Sequence, residues 1–254
     1  MILRRTLPVA LALFAIAAPT PFSLQQQNAA DAEWRHYHRD LASTRYSPLS
    51  QINKDNVAQL ATAWTWTADG TTVRNEGKSE NTPIMVGGTL YFTGGPNRAV
   101  IAADPATGTP KWVWSMDEGV RLRVAPRGNS GRGVSYWNGT GGNGDRIFTV
   151  TPGFQLVALD AKTGKQIPTF GKEGIVDLKA QIGVELNVDS AVIRNSSPPL
   201  VFENIVVVGP ALEVGTAPPS MKNVPGRVMA FDAVTGKLLW RFNTIPLQGE
   251  FGID

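Results

Sequence analysis

The 254-residue chain contains no cysteine, and this absence excludes several kinds of site and anchor. Without thiols the chain has no disulfide bonds, no thiolate metal ligands and no lipid-modified N-terminal cysteine. Histidine is almost as scarce, since His36 and His38 are the only two. Two residues apart on an extended segment, they face the same way as a metal pair would, but no third ligand lies nearby. This spacing favours a structural or surface role over a metal site.

Long amphipathic helix patterns and a strong net charge are also missing. Glycine (26) and proline (18) are abundant, which indicates a turn-rich all-β protein. The formal net charge of +3 includes Arg4 and Arg5, which lie in a leader that we expect to be removed, so the mature balance is about +1. A balance this small gives no reason to expect nucleic acid as a partner.

The first 22 residues have the order of a secretory signal. Two arginines precede an apolar run from Leu7 to Ala18, and small residues with Pro19 follow. The run is too short to span a bilayer comfortably, although an uncleaved membrane anchor is the alternative. We therefore predict a signal peptide at 1–22, a flexible lead-in at 23–32, and a protein that is periplasmic or secreted.

One short motif occurs three times in the remaining chain. It reads Asp-x-x-Thr-Gly, at Asp104–Gly108, Asp160–Gly164 and Asp232–Gly236. An Asp side chain can accept hydrogen bonds from backbone N–H groups two or three residues on, and Gly provides the positive φ that closes the turn. The motif thus predicts strand, turn and strand without any catalytic role.

Further apolar runs lie upstream of these turns, so each repeating unit contains about four strands. Four strands are the number in one propeller blade. We predict an all-β fold in which 33–254 forms three blades, at about 80–117, 132–170 and 196–243, plus a closing strand at 61–67. Three blades cannot complete a ring, because propellers use roughly four to eight. A longer protein or a ring of several chains would resolve this, and we favour the first.

Two groups of charged residues are candidates for chemistry. Four arginines crowd the stretch from 120 to 133, and their planar guanidinium groups suit a ligand with several carboxylates or phosphates; a solvated basic loop is the alternative. Glu80 and Glu213 occupy equivalent strand ends in the first and third blades, where carboxylates would converge on the propeller axis. Such hard oxygen ligands suit Ca²⁺ or Mg²⁺. No nucleophile, base and orienting group come together, so hydrolysis is not indicated.

In combination, the motifs resemble the pyrroloquinoline quinone (PQQ)-dependent quinoprotein dehydrogenases, and the glucose-dehydrogenase-like branch more than the methanol branch. Besides the repeats, the resemblance rests on Trp34 and six stretches: Ser43–Leu49, Gln51–Asn53, Ala63–Trp64, Thr82–Ile84, Arg132–Tyr136 and Gly249–Gly252. It implies an eight-bladed propeller with Trp-docking repeats, of which this chain is the N-terminal portion. It also implies PQQ with Ca²⁺ or Mg²⁺, a sugar or alcohol as substrate, hydride transfer to PQQ, and cytochrome c or ubiquinone as electron acceptor.

The resemblance assigns roles to individual positions. Glu80 matches an acid that contacts the cofactor, Arg132 an arginine that reaches the quinone oxygens, and Ser196 a Thr or Ser that contacts PQQ. Glu213 matches an acidic ligand of the metal. Many alcohol-type members have adjacent cysteines, and the glucose type a histidine, where this chain has Pro126–Gly128, so we expect Arg127 to cover the PQQ ring instead.

The family's stacking Trp, second metal ligand and catalytic Asp lie beyond Asp254. We therefore predict that the chain contains no catalytic base, needs the remaining blades and is inactive alone. The main alternative is a non-catalytic β-propeller scaffold of the cell envelope, which predicts blades without axial Glu and Arg and usually a lipidated cysteine. A gene fragment that never folds is a third interpretation.

Overall fold

The computed structural model describes residues 33–67, 80–128, 131–193, 195–210, 224–250 and 252. The predicted signal peptide and lead-in therefore lie outside the described residues. Within those ranges, no helix has both the length and the apolar character needed to cross a bilayer.

The described strands form three antiparallel sheets of four strands each, and their order within each sheet follows the chain. The first sheet contains β1 Ile84–Val86, β2 Thr89–Gly94, β3 Ala99–Ala103 and β4 Pro110–Trp114. The second contains β5 Ser135–Trp137, β6 Arg146–Val150, β7 Gln155–Asp160 and β8 Ile175–Asp177. The third contains β9 Leu200–Phe202, β10 Ile205–Val208, β11 Arg227–Asp232 and β12 Leu238–Asn243. A single helical turn, α1 Val120–Val124, lies between the first two sheets.

Three consecutive sheets of this meander type are blades of a β-propeller, and the all-β prediction is confirmed. Blade two ends later than the sequence suggested, because its fourth strand is β8 and not the stretch directly after Gly164. After a single bridge from Gln166 to Leu159, the chain turns back and pairs with β7 again from Ile175, so part of the expected linker belongs to the blade.

The three Asp-x-x-Thr-Gly motifs adopt the same turn. In each, the aspartate Oδ1 accepts hydrogen bonds from the backbone N–H groups two and three residues on and from the threonine hydroxyl. The glycines have φ of +72°, +70° and +73°, which favours a residue without a Cβ. These local bonds explain the repeat without catalysis, as the sequence predicted.

Tryptophans dock onto these turns from the preceding unit. The Trp112 ring lies over Gly164, and its Nε1 donates to the carbonyl of Ala161 at 3.1 Å. The Trp64 ring lies over Gly108 in the same way, with Nε1 donating to Pro105 at 3.0 Å. The described structure assigns no strand to 61–67, so the closing strand stays a prediction.

Apolar side chains fill the spaces between neighbouring blades. Between blades one and two, Val100 and Ile147 have no exposed surface, and Trp112 and Trp114 pack against their cluster. The cluster that joins blades two and three is built around Phe148, Phe154, Phe170, Phe231 and Val206, all completely buried. Burial of this apolar surface holds the blades together.

The blades have two ends, which we name by their connections. The turn end carries the turns at Asp104, Asp160 and Asp232. The loop end is the opposite one, and it carries the β2–β3 and β6–β7 turns and the long connections between blades, at 94–98, 151–154, 115–134 and 178–199.

Candidate functional site

Three of the predicted site residues meet at the loop end. Arg127 Nη1 and Arg132 Nε both lie 3.4 Å from Oε2 of Glu80. Glu80 precedes β1 and Arg132 precedes β5, so the cluster joins the segments that lead into the innermost strands of blades one and two.

Backbone hydrogen bonds connect this cluster to Ser196. The N–H of Arg132 donates to the Ser196 carbonyl at 2.8 Å, and the Arg132 carbonyl accepts from Thr82 at 3.0 Å. Ser196 precedes β9, the innermost strand of blade three. Backbone bonds thus tie the segments before three successive inner strands into one continuous ridge. Arg132 and Ser196 lie on it, and Glu80 is two residues before Thr82.

The side chains of the cluster are only partly covered, with 28% of Arg127, 42% of Arg132 and 37% of Glu80 exposed. Exposed ion pairs of this length contribute little to stability. Because two guanidinium groups share one carboxylate, the cluster keeps positive charge and N–H donors that can bind an anionic ligand.

Glu213, the predicted metal ligand, lies outside the described residues, but the strand leading toward it is described. The Asn195 Nδ2 donates to the carbonyl of Gly209, directly after β10, at 2.9 Å. The Asn195 side chain is buried, and its Oδ1 has no hydrogen-bond partner among the described residues. A buried amide oxygen beside Ser196 is thus available to a donor group or a cation.

The arginine stretch divides into two parts with different roles. Arg121 is 8% exposed and pairs with Asp177 at 2.7 Å and Asp189 at 3.2 Å, so it holds blade two and the 178–193 segment together. The interpretation of this arginine as a ligand-binding or solvated residue is wrong, because its charge is used inside the fold. Of these arginines, Arg127 and Arg132 contact Glu80.

A half-buried acid, Glu118, stabilises the same connection. Its carboxylate accepts hydrogen bonds from the Thr151 hydroxyl at 2.6 Å and the Gly153 N–H at 2.7 Å. Burial raises the pKa of Glu118 above its ordinary value, although these two bonds oppose the shift. This carboxylate therefore fixes the β6–β7 turn, and both of its oxygens accept hydrogen bonds within the fold.

The two histidines line a cavity of about 500 Å³ along the inner strands, to which Arg132 and Ser197 also contribute. Hydrogen bonds hold His38 on both ring nitrogens: Nε2 accepts from Nη2 of Arg45, and Nδ1 bonds to the Ser43 hydroxyl. Throughout the described part of the chain, no three His, Asp or Glu side chains are placed to hold a metal ion. The structural role predicted for the histidines is consistent with this placement.

One residue of the loop end was not found from the sequence. Arg98, between β2 and β3, is 3% exposed and donates to backbone carbonyls of three other segments, including that of Arg127. The only signal in the sequence is a lone arginine between a Gly-Gly-Pro-Asn turn and an entirely apolar strand.

Comparison with known proteins agrees with this architecture. The model of the PQQ family described as the glucose/ethanol/alcohol dehydrogenase β-propeller domain matches residues 34–252. The dehydrogenase subunit of the alcohol dehydrogenase (quinone) of Gluconobacter oxydans (strain 621H) is 35% identical, over 96% of this chain and 30% of that protein. The quinoprotein glucose dehydrogenase of the same organism is 32% identical, over 85% of this chain and 28% of that protein.

Solved structures give the same picture. A quinohemoprotein alcohol dehydrogenase from Pseudomonas putida HK5 superposes with a TM-score of 0.63 at 32% identity, covering 86% of this chain and 28% of that one. A europium-containing methanol dehydrogenase has a TM-score of 0.61 at 29% identity, covering 83% and 32%. The chain thus spans about 30% of the length of the curated relatives it matches. The chain forms three propeller blades, and the family model matches it from residue 34 to residue 252. It therefore belongs to the PQQ-dependent glucose/ethanol/alcohol dehydrogenase family.

Proposed function

We propose that the chain is the N-terminal part of an exported PQQ-dependent dehydrogenase that oxidises a sugar or an alcohol by hydride transfer to PQQ. The observation that carries the proposal is the cluster of Arg127, Glu80 and Arg132, because segments from two blades bring it together at the loop end. Its basic, partly exposed donors fit a ligand that carries three carboxylates and two quinone oxygens.

In this proposal each residue of the site has a separate task. PQQ, when bound, supplies the quinone that accepts two electrons from the substrate. Arg132 places a fixed positive charge where negative charge develops on the quinone oxygens, which is a preorganised form of stabilisation. Glu80 holds both guanidinium groups in place, Arg127 covers the ring, and Ser196 contributes a hydroxyl.

The metal ion of the proposal, Ca²⁺ or Mg²⁺, is assigned to Glu213. Support comes from Asn195, whose buried Oδ1 lacks a partner among the described residues while its Nδ2 binds the end of β10. Hard divalent cations prefer carboxylate and amide oxygens, so the donor set suits either ion. A bound cation would act as a Lewis acid on the quinone carbonyl.

Further blades are needed to complete the protein. On blade three, Trp240 and Phe242 are 44% and 61% exposed, whereas Trp112 of blade one packs against blade two. We propose that a following blade covers this open face, and that the catalytic base lies in the part beyond Asp254. Without a base to take the hydroxyl proton of the substrate, this chain alone gives no turnover.

The alternative of a non-catalytic scaffold of the cell envelope is disfavoured. It predicts blades without an arginine and glutamate cluster near the axis, whereas Glu80, Arg127 and Arg132 are in contact. The electron acceptor in our proposal is cytochrome c or ubiquinone, and the location is the periplasm or the exterior.

Binding of PQQ and Ca²⁺ tests the proposal directly. Quinone absorbance and isothermal titration would be followed for the 254-residue chain, for a chain extended past Asp254, and for the variants Arg132→Ala and Glu213→Ala. Lys162→Ala, at an exposed position of the turn end, is the matched control. We expect metal-dependent binding that the first two variants weaken and the control does not. No binding by either chain length would overturn the quinoprotein assignment.

A further inference from the structure

Arg98 occupies an unusual position for a charged residue. It follows Asn97 in the turn between β2 and β3, and the two residues have φ of +54° and +57°, a conformation that residues with a side chain seldom adopt. Its side chain is 3% exposed. A buried guanidinium is unfavourable unless hydrogen bonds replace the water it has lost, and a strained backbone persists only when its surroundings fix it.

Those hydrogen bonds reach three different parts of the loop end. Nη1 of Arg98 donates to the carbonyls of Val150 at 3.0 Å and Asn195 at 2.9 Å, and Nη2 donates to the carbonyl of Arg127 at 3.2 Å. Val150 ends β6 in blade two, and Asn195 precedes β9 in blade three. One side chain from blade one therefore holds the two following blades and the connection between blades one and two.

Two of these three carbonyls belong to the proposed cofactor site. Arg127 is itself a member of the cluster, and Asn195 directly precedes Ser196, whose carbonyl binds the N–H of Arg132. Gly131 packs against the aliphatic part of the Arg98 side chain, since a Cβ there would lie 2.6 Å from Cδ. Arg98 thus contacts the backbone at Arg127 and at Gly131, next to both arginines of the cluster.

We propose that Arg98 is a positioning residue of the cofactor site, which sets the backbone of Arg127 and Ser196 and through them the place of Arg132. It acts through these residues and does not itself touch the cofactor. This inference deepens the proposed function, because the site that Arg98 organises is the one assigned to PQQ.

Arg146 provides a matched control within the same chain. It is 2% exposed, and its Nη1 donates to the carbonyls of Ala233 at 2.9 Å and Val234 at 2.7 Å, which joins blade two to blade three. These contacts lie at the turn end. Arg98 and Arg146 are therefore buried cross-links of the same chemistry at opposite ends of the blades, and only Arg98 is bonded to the site.

The experiment compares Arg98→Met, Arg98→Lys and Arg146→Met with the unchanged chain. Amide hydrogen exchange is measured at Arg132 and Thr82, whose N–H groups form the ridge, and PQQ affinity is measured in the presence of Ca²⁺. A hydrogen bond to a charged group is typically worth about tenfold or more in an equilibrium constant, so we expect Arg98→Met to speed exchange at both amides by about tenfold. We expect a similar loss of PQQ affinity, with partial recovery in Arg98→Lys and changes of less than about twofold in Arg146→Met.

The two readouts separate this inference from the proposed function. Faster exchange at the ridge in Arg98→Met, together with no PQQ binding by this chain or by one extended past Asp254, would support the positioning role and contradict the cofactor assignment. Equal effects of Arg98→Met and Arg146→Met on both readouts would show that Arg98 only stabilises the fold. Unchanged exchange at Arg132 in Arg98→Met would also overturn the inference, and an Arg98→Met chain that does not fold leaves Arg98→Lys to decide between these outcomes.

Discussion

The two ends of the blades differ in the hydrogen bonds that shape their turns and loops. At the turn end the same short motif occurs in every blade, and each aspartate bonds to groups two and three residues away. At the loop end the cross-links are unique, and Arg98 binds carbonyls that are 29, 52 and 97 residues distant. The repeating end thus builds a scaffold from local rules, while the non-repeating end is free to carry a site. Propeller loops and long connections are where such proteins usually place their function.

Removal of a docking tryptophan at the turn end should have the largest effect on stability. Trp112→Ala loses the ring packed over Gly164 and the hydrogen bond to Ala161, so we expect it to cost about 3 kcal/mol of unfolding free energy. Trp240→Ala is the control, because 44% of this ring is exposed, and it should cost less than about 1 kcal/mol. Urea denaturation of both variants measures the difference. Equal losses of unfolding free energy in the two variants would show that docking of the Trp112 ring over Gly164 does not add to stability.

A substitution beneath Arg98 should disturb the loop end alone. The new methyl group of Gly131→Ala would lie 2.6 Å from Cδ of Arg98, and we expect a loss of about 2 kcal/mol from this overpacking. Gly226→Ala is matched, since its Cβ has 3.7 Å to the nearest atom, and it should be close to neutral. Denaturation together with PQQ titration tests this pair. If Gly131→Ala is destabilised but keeps its PQQ affinity, the proposal that Arg98 positions the site is contradicted.

Neutralisation of the shared carboxylate should separate function from stability. Glu80→Gln removes two long, partly exposed ion pairs, so we expect a stability change below about 1 kcal/mol. The PQQ affinity should fall by about tenfold, because Arg127 and Arg132 lose the charged group that orients them. Thermal denaturation and quinone absorbance on one preparation measure both quantities. If Glu80→Gln binds PQQ with the same affinity as the unchanged chain does, Glu80 is not part of the site.

The smallest effect should be the pH dependence of the turn end. Burial opposes the ionisation of Asp232, but hydrogen bonds from Thr235 and Val234 outweigh it and lower the pKa of this carboxyl below 3.8. A lowered pKa in the folded state means that the carboxylate stabilises the fold at pH above 3.8 and loses this contribution as the pH falls through the folded value. The free energy of unfolding of the unchanged chain should exceed that of Asp232→Asn by less than about 1 kcal/mol at pH 7. The difference should shrink below about pH 4, where the side chain protonates. A difference that stays constant from pH 7 to pH 3 would contradict this account.

The same contrast explains which features the sequence reveals. Each Asp-x-x-Thr-Gly turn is formed by bonds within a few residues, so its pattern is visible in one stretch of chain and its three copies predict the blades. Glu80, Arg132 and Ser196 were assigned by resemblance to a family, and the structure places Arg132 and Ser196 on one ridge and Glu80 in contact with Arg132. Their roles toward a cofactor are still a proposal.

The features that sequence reasoning missed depend on residues far apart in the chain. Arg121 was grouped with the ligand-binding arginines because it lies near them, whereas its partners Asp177 and Asp189 are 56 and 68 residues away. Arg98 has no repeat and no local motif, so only the folded chain shows what it binds. The fourth strand of blade two was overlooked because ten residues, from Lys165 to Gly174, separate it from its turn, and no periodicity marks a strand as short as Ile175–Asp177.

Amide hydrogen exchange of the whole chain, with and without PQQ and Ca²⁺, tests the division between the two ends most directly. We predict that the ligands slow exchange at the loop end, at Thr82, Arg132 and the 125–133 loop. The amides of the turns at Asp104, Asp160 and Asp232 should exchange as before. Protection that appears at the turn end, or equally at both ends, would contradict the assignment of the cofactor site to the loop end.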